Sequence, residues 1–258
     1  MERRDFIQKS ILTTAAVAGA GLGSSNAGQQ QKKNEWYEFR VYHMRRNLSP
    51  LDNYFSKALI PALNRMGSKN VGVFTELSKS EPPKVYMLIP YRSVEDYGKT
   101  VLQLRNDKEF ADASAEYNQI PMDRAVYERY DSSLMLAFDG NPALVVPSKK
   151  ERLFELRMYE GYSEDAVRRK VKMFNDGELD IFRNVKVKPV FFGENISGPG
   201  LPRLTYMAVY ESMEARDQAW KEFLDHPDWK SMSKMPEYAN TVSRIHRIFL
   251  EPAAYSQI

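Results

Sequence analysis

"YEFRVY", Tyr37 to Tyr42, returns as "FELRMY", Phe154 to Tyr159, after 117 residues (154 − 37). Each copy alternates apolar or aromatic residues with polar ones, the period of a β-strand, and each carries Glu and Arg two places apart. Solenoid and propeller units repeat every 20 to 50 residues or so, which makes this a domain-sized duplication.

The elements that follow each copy come in the same order. After the first, Ser49-Pro50 reads as an N-cap and first helical residue, with Asp52 completing a capping-box pattern. Leu51, Phe55, Leu59, Leu63 and Met66 then recur at helical spacing until Gly67, with Pro61 expected to kink the helix. "VGVFTEL" and "KVYMLIPY" form a hairpin around "SKSEPP", Ser93 and Asp96 open a second helix, and "YERYDSSLMLAF" closes the half. After the second copy come a helix capped by Ser163, the strands "KPVFFGENI" and "LTYMAVYE" around "SGPGLP", a helix after Ser212, and "VSRIHRIFL". Both halves therefore read β-α-β-β-α-β, an α+β arrangement of two tandem ferredoxin-like units. The expected units are residues 35–138 and 152–258, joined by a linker over 139–151 that contains Pro142 and Pro147. Each unit covers one sheet face with its own helices, so the other faces are expected to cover each other.

Composition narrows the function classes. A formal charge of +3 arises from 37 basic and 34 acidic residues mixed along the chain, without the basic stripe of a nucleic-acid surface. Cysteine is absent, which excludes disulfides, thiolate nucleophiles and cysteine zinc sites, and no metal or cofactor motif occurs. The N-terminus carries Arg3-Arg4, an apolar run from Ile11 to Leu22 and the small-x-small stretch Ser25-Asn26-Ala27. This is expected to be a twin-arginine-type signal over residues 1–27, followed by a flexible leader over 28–34, and the mature protein is expected in the periplasm or outside the cell. The apolar run is shorter than the roughly 20 residues that span a bilayer, so no membrane span is expected once the signal is cleaved.

The two strand copies, with "YRSVEDY…NDKEF" and "YESMEAR…DHPDW" at each second helix, resemble the NIPSNAP family over both halves. The resemblance implies a dimeric α/β-barrel fold, here a pseudo-dimer within one chain. The wider superfamily hosts cofactor-independent monooxygenases, isomerases and haem enzymes, so fold alone assigns no reaction.

Strand alternation separates Tyr37, Phe39 and Val41 from Glu38, Arg40 and Tyr42, and likewise Phe154, Leu156 and Met158 from Glu155, Arg157 and Tyr159. The apolar sets suit a helix-covered face, so both Glu-x-Arg-x-Tyr sets are expected to point between the sheets. There they either orient a small organic ligand or pair with each other to satisfy buried charge. On the last strand Arg244 and His246 share a face, and His246 is the candidate general base. His226, in "DHPDW", reads either as a haem ligand or as part of a helix break enforced by Pro227. Two functions remain in view: small-molecule binding or assembly without turnover, and a cofactor-independent monooxygenase or isomerase acting in the barrel lumen. Self-association into a homo-oligomer is compatible with either.

Overall fold

The computed structural model describes residues 33–45 and 48–258. The expected signal over 1–27, and residues 28–32 of the expected leader, lie outside the described residues. The first half runs β1 (Trp36–Met44), α1 (Ser49–Tyr54), α2 (Ile60–Arg65), β2 (Gly72–Glu76), β3 (Lys84–Tyr91), α3 (Val94–Leu104), α4 (Lys108–Ala113), α5 (Ala115–Asn118) and β4 (Tyr127–Ala137). The second runs β5 (Leu153–Glu160), α6 (Glu164–Met173), α7 (Leu179–Asn184), β6 (Lys188–Ser197), β7 (Arg203–Tyr210), α8 (Met213–Asp225), α9 (Pro227–Met232) and β8 (Arg244–Pro252).

The eight strands close into one antiparallel barrel in the order β1-β3-β2-β8-β5-β7-β6-β4. Each half supplies a four-strand ferredoxin-like sheet, β4-β1-β3-β2 or β8-β5-β7-β6. The halves join edge to edge, through Phe74↔Pro252 to Glu76↔Leu250 on one side and Leu134↔Ser197 to Ala137↔Gly193 on the other. Closure pairs every edge strand, removing the unpaired backbone that a lone unit would offer to other chains. The linker is also engaged: the Val145 amide donates to the Val190 carbonyl at 2.8 Å, and the Leu144 amide to Glu35 at 2.8 Å.

Both faces of this sheet are buried. Tyr37, Phe39, Tyr86, Phe154, Phe191 and Met207 fill the interior, each 2% exposed or less, with ring contacts such as Phe74 to Phe154 at 4.9 Å. Outside, Leu51, Phe55, Leu59 and Leu63 of the first half pack on Val73 and Met87, while Phe174, Phe182 and Phe223 of the second pack on Phe192 and Tyr206.

This reverses the expected facing of the duplicated strands. Tyr37 and Phe39 line the interior, while Glu38, Arg40 and Tyr42, with Glu155, Arg157 and Tyr159, lie beneath the helices. The reason is steric and dielectric. The interior of an eight-strand barrel is narrow and here apolar side chains fill it, so the charges take the layer where helix side chains can reach them. A hollow lumen holding the polar sets is therefore not the arrangement of this chain.

Two further readings of the sequence change. The first helix begins at Ser49, with Leu48 in the cap position, so Ser49 is inside the helix rather than its cap. Between α1 and α2 the backbone passes through a π-helical turn, Phe55–Leu59, in which the Ile60 amide reaches back to the Phe55 carbonyl. The second half makes the same turn at Phe174–Glu178 without a proline. The turn is thus a property of the unit, and Pro61, in the first turn of α2, is accommodated by it.

Candidate functional site

Glu38 and Arg40 sit two residues apart on one face of β1, so their side chains stand side by side. Arg40 grips the carboxylate with two parallel bonds, Nε to Oε1 at 2.7 Å and Nη2 to Oε2 at 2.9 Å. The Ser132 hydroxyl donates to Oε1 at 2.9 Å and the Tyr91 hydroxyl to Oε2 at 3.3 Å. All four acceptor positions of the carboxylate are occupied, leaving it unsuited to taking a proton from a ligand.

The second copy meets the same requirement with other partners. Glu155 accepts from Arg157 at 3.2 Å, from Arg216 of α8 in a two-bond grip at 2.9 Å each, and from the Trp220 indole at 3.0 Å. Arg157 stacks over the Trp220 ring at 4.1 Å, and Lys170 binds Glu178 at 2.6 Å nearby. Tyr159 and Tyr206 exchange a hydroxyl bond at 3.0 Å. Burial pushes the Tyr159 phenol up to about 12, and it also drives Glu178 above its ordinary value against the pull of Lys170. Both copies thus realise the pairing alternative: the charges pair within each half, with the Arg157 Nε alone among these groups buried without an acceptor.

What differs is the cover. Ser93 and Ser212 cap α3 and α8 identically, each accepting from the amide three residues on at 3.2 Å, which fixes an offset of 119 (212 − 93). At that offset Val101, Leu104 and Phe110 stand where the second half has Trp220, Phe223 and Trp229. The large rings pack against the second-half core. α4 and α5 bury none of their residues, as α9 buries none, but α3 buries only Thr100 where α8 buries Ala219 and Phe223.

Tyrosines occupy the space instead. Tyr42 stacks on Tyr130 at 5.0 Å and meets Tyr127 edge-on at 5.2 Å; Tyr54 stacks on Tyr117 at 4.3 Å; Tyr97 meets Tyr91 at 5.4 Å. The Arg40 guanidinium lies 5.6 Å from the Tyr130 ring centre and reaches the Tyr42 hydroxyl at 3.5 Å. Tyr130 is 45% exposed, and Tyr54, Tyr97, Tyr117 and Tyr127 are half-buried, so this aromatic set opens to the surface. Burial pushes the Tyr54 phenol up to about 12 and raises Tyr42, Tyr91 and Tyr117 as well. The phenols are therefore neutral hydrogen-bonding groups at ordinary pH. Beside them a cavity of about 450 Å³ opens between Ser49, Pro50, Ile120, Pro121 and Val126. Of this set the sequence singled out only Tyr42. The density of tyrosine in "YERY" is the signal in the sequence that points to the rest.

His246 and Arg244 do come together, at one mouth of the barrel. The His246 ring meets Glu160 at 2.8 Å, and Arg244 approaches the other oxygen of Glu160 at 3.8 Å. Glu160 was not foreseen, because it belongs to β5, 86 residues away. The interior next to this pair is closed by Met158 and Ile248, which pack on the apolar core. His226 is a cap: its Nδ1 accepts the Asp228 amide at 3.3 Å to start α9, as Asp107 accepts the Phe110 amide at 2.7 Å to start α4. No group of three or more metal-ligating side chains gathers among the described residues, and none of their helices is long and apolar enough to cross a membrane.

A family model, NIPSNAP, matches residues 37–131 and 154–257, one match per half. No curated protein matches the chain. Among solved structures it is similar to a candidate monooxygenase from Lactobacillus acidophilus, at 11% identity over 85% of this chain and 94% of that one, with a TM-score of 0.54. A candidate monooxygenase from Fusobacterium nucleatum aligns at 10% identity over 85% and 93% of the two chains, with a TM-score of 0.53. A NIPSNAP-like domain protein from Burkholderia xenovorans aligns at 22% identity, covering 40% of this chain and 87% of its own, with a TM-score of 0.36. At these identities the likeness to the two full-length neighbours is one of fold.

Proposed function

Since the chain belongs to the NIPSNAP family and folds its two family regions into one barrel, we propose that it is a binding protein whose first half takes a small planar organic molecule between sheet and helices. The observation that carries this reading is the asymmetry of the halves. The second half packs Trp220, Phe223 and Trp229 on its core, while the first sets half-exposed tyrosines above Arg40, close to the cavity at Ser49, Ile120 and Val126. Neutral phenols and ring faces suit an aromatic ligand bearing oxygen atoms, held by stacking and by hydroxyl bonds. Turnover is not part of the proposal, because Glu38, the carboxylate at the floor, already accepts four bonds.

Binding of 2-naphthol to the purified protein, followed by the fluorescence of the probe, tests this. Tyr130→Ala and Tyr54→Ala should each weaken binding, and Tyr162→Ala, on an exposed turn of the second half, should not. Equal affinity in all four proteins would remove the first-half site. Native mass spectrometry of the protein as isolated would then identify the natural occupant. The proposal includes export, supported by Arg3-Arg4 and the apolar run that follows. Replacing both arginines by Lys should stop mature protein from appearing outside the cytoplasm.

A further inference from the structure

Two buried donors without partners stand side by side at the barrel mouth that holds His246. Asn195 on β6 and Arg203 on β7 face inward one step beyond the Gly193↔Thr205 and Glu194↔Leu204 pairs, which makes them cross-strand neighbours. The Asn195 carbonyl oxygen accepts from the Thr205 hydroxyl at 2.8 Å, and this holds the amide so that Nδ2 is buried with nothing to donate to. Arg203 donates Nη2 to the Ser133 hydroxyl at 2.9 Å, while its Nε is buried and also lacks an acceptor.

The charge of Arg203 is unmatched too. Glu160 is its partner in strand register, but that carboxylate is turned to His246 at 2.8 Å and to Arg244 at 3.8 Å. Asp131, on the same inner face, is taken by His43 at 2.9 Å. Burial accordingly lowers the Arg203 pKa, and Glu160 and Asp131 oppose this too weakly to reverse it. A water molecule could accept from one of the donors but would leave the desolvated guanidinium without a counter-charge.

The β6–β7 loop lies on these groups. A Cβ on Gly198 would stand 2.5 Å from the Ser133 Oγ, and one on Gly200 3.2 Å from the Arg203 Nη1. Both glycines have positive φ, 132° and 69°, which side-chain-bearing residues rarely adopt. The loop is thus built to pass close over the arginine.

We propose that this mouth is a binding site for a small carboxylate, one oxygen accepting from the Arg203 Nε and the other from the Asn195 Nδ2. A carboxylate supplies two acceptors in one plane and the missing negative charge together. The approach runs past His246 and Arg244, whose side chains are 40% and 69% exposed. The site is separate from the tyrosine-lined opening of the first half and does not depend on it.

Acetate is the probe, titrated into the full chain at constant ionic strength with chloride as the comparison. Two readouts are followed: the Nε–H resonance of Arg203, identified by its loss in Arg203→Lys, and the melting temperature. Acetate should shift the resonance and raise the melting temperature saturably, where chloride does neither. Asn195→Asp places a carboxylate beside Arg203 from within the protein. This variant should melt higher than the parent without acetate and should bind acetate about tenfold more weakly or worse, since one donor is lost and a like charge added. Its raised melting point also shows that it is folded. A response to chloride equal to that to acetate, an undiminished acetate response in Asn195→Asp, or no saturable response in the parent would each overturn the proposal.

Discussion

Glu155 is 0% exposed, and around it two arginines and an indole converge on one carboxylate. Glu155→Gln keeps the shape but leaves Arg157 without its carboxylate and Arg216 with only the exposed Asp217, at 3.0 Å. Removing one partner of a buried ion pair costs about 3–5 kcal/mol, and urea unfolding of the variant should show a loss in that range. Glu38→Gln should cost less, because only Arg40 loses its counter-charge and that side chain is 13% exposed. A similar loss in both variants would mean that Arg216 contributes little to the second site. The tyrosines set the alkaline behaviour. Tyr54 ionises at about 12 in the folded protein against 10.0 for an ordinary phenol, since burial disfavours its charged form. Between those values the unfolded chain releases the proton first, so stability should fall as pH rises from 10.0 through about 12. Tyr54→Phe should flatten that limb in melting curves taken across the range, whereas an unchanged slope would locate the alkaline loss elsewhere.

Caps define where each second helix breaks. His226 starts α9 through its ring nitrogen, as Asp107 starts α4 through its carboxylate. His226→Asn supplies another capping acceptor and should leave stability nearly unchanged, while His226→Ala should cost about 1 kcal/mol in thermal unfolding. A Soret band in the wild-type protein after reconstitution with haem, lost in His226→Asn, would contradict the capping role. Elements of this kind were legible in advance because their signals are local: Ser93, Ser163 and Ser212 all cap as their sequences indicate. Ser49 misled because a Ser-Pro pair fits either the cap or the first turn, and the helix takes in both residues. The facing of β1 and β5 could not be read from alternation, since alternation shows which residues share a face but not which face is which when both are buried. The partners Arg216 and Trp220 were hidden for another reason: they reach Glu155 across 61 and 65 residues, and the first half has Tyr97 and Val101 in their places.

At the scale of the whole molecule, the closed barrel follows from what each half lacks. A single unit has β2 and β4 as open edges and an apolar inner face carrying Tyr37, Phe39, Tyr86 and Met135. Left alone in water, that face would be a large exposed apolar patch flanked by unpaired strands, a surface that soluble monomers avoid. The second half covers it by pairing β8 with β2 and β6 with β4. Because both halves have the same strand order, a second copy of one half can make equivalent edge contacts, β4 of each copy meeting β2 of the other. The isolated first half, residues 35–138, should therefore form a homodimer with the strand content of the intact chain, visible by native mass spectrometry and far-ultraviolet circular dichroism. The dimer would present two tyrosine-lined openings in place of one, doubling the 2-naphthol stoichiometry per barrel. A folded, soluble monomer would show that the inner face needs no partner, and that edge pairing is not what joins the two halves. An unfolded product would instead mean that side chains from the second half, such as Phe154 against Phe74 and Phe191 against Tyr37, are required to complete the interior.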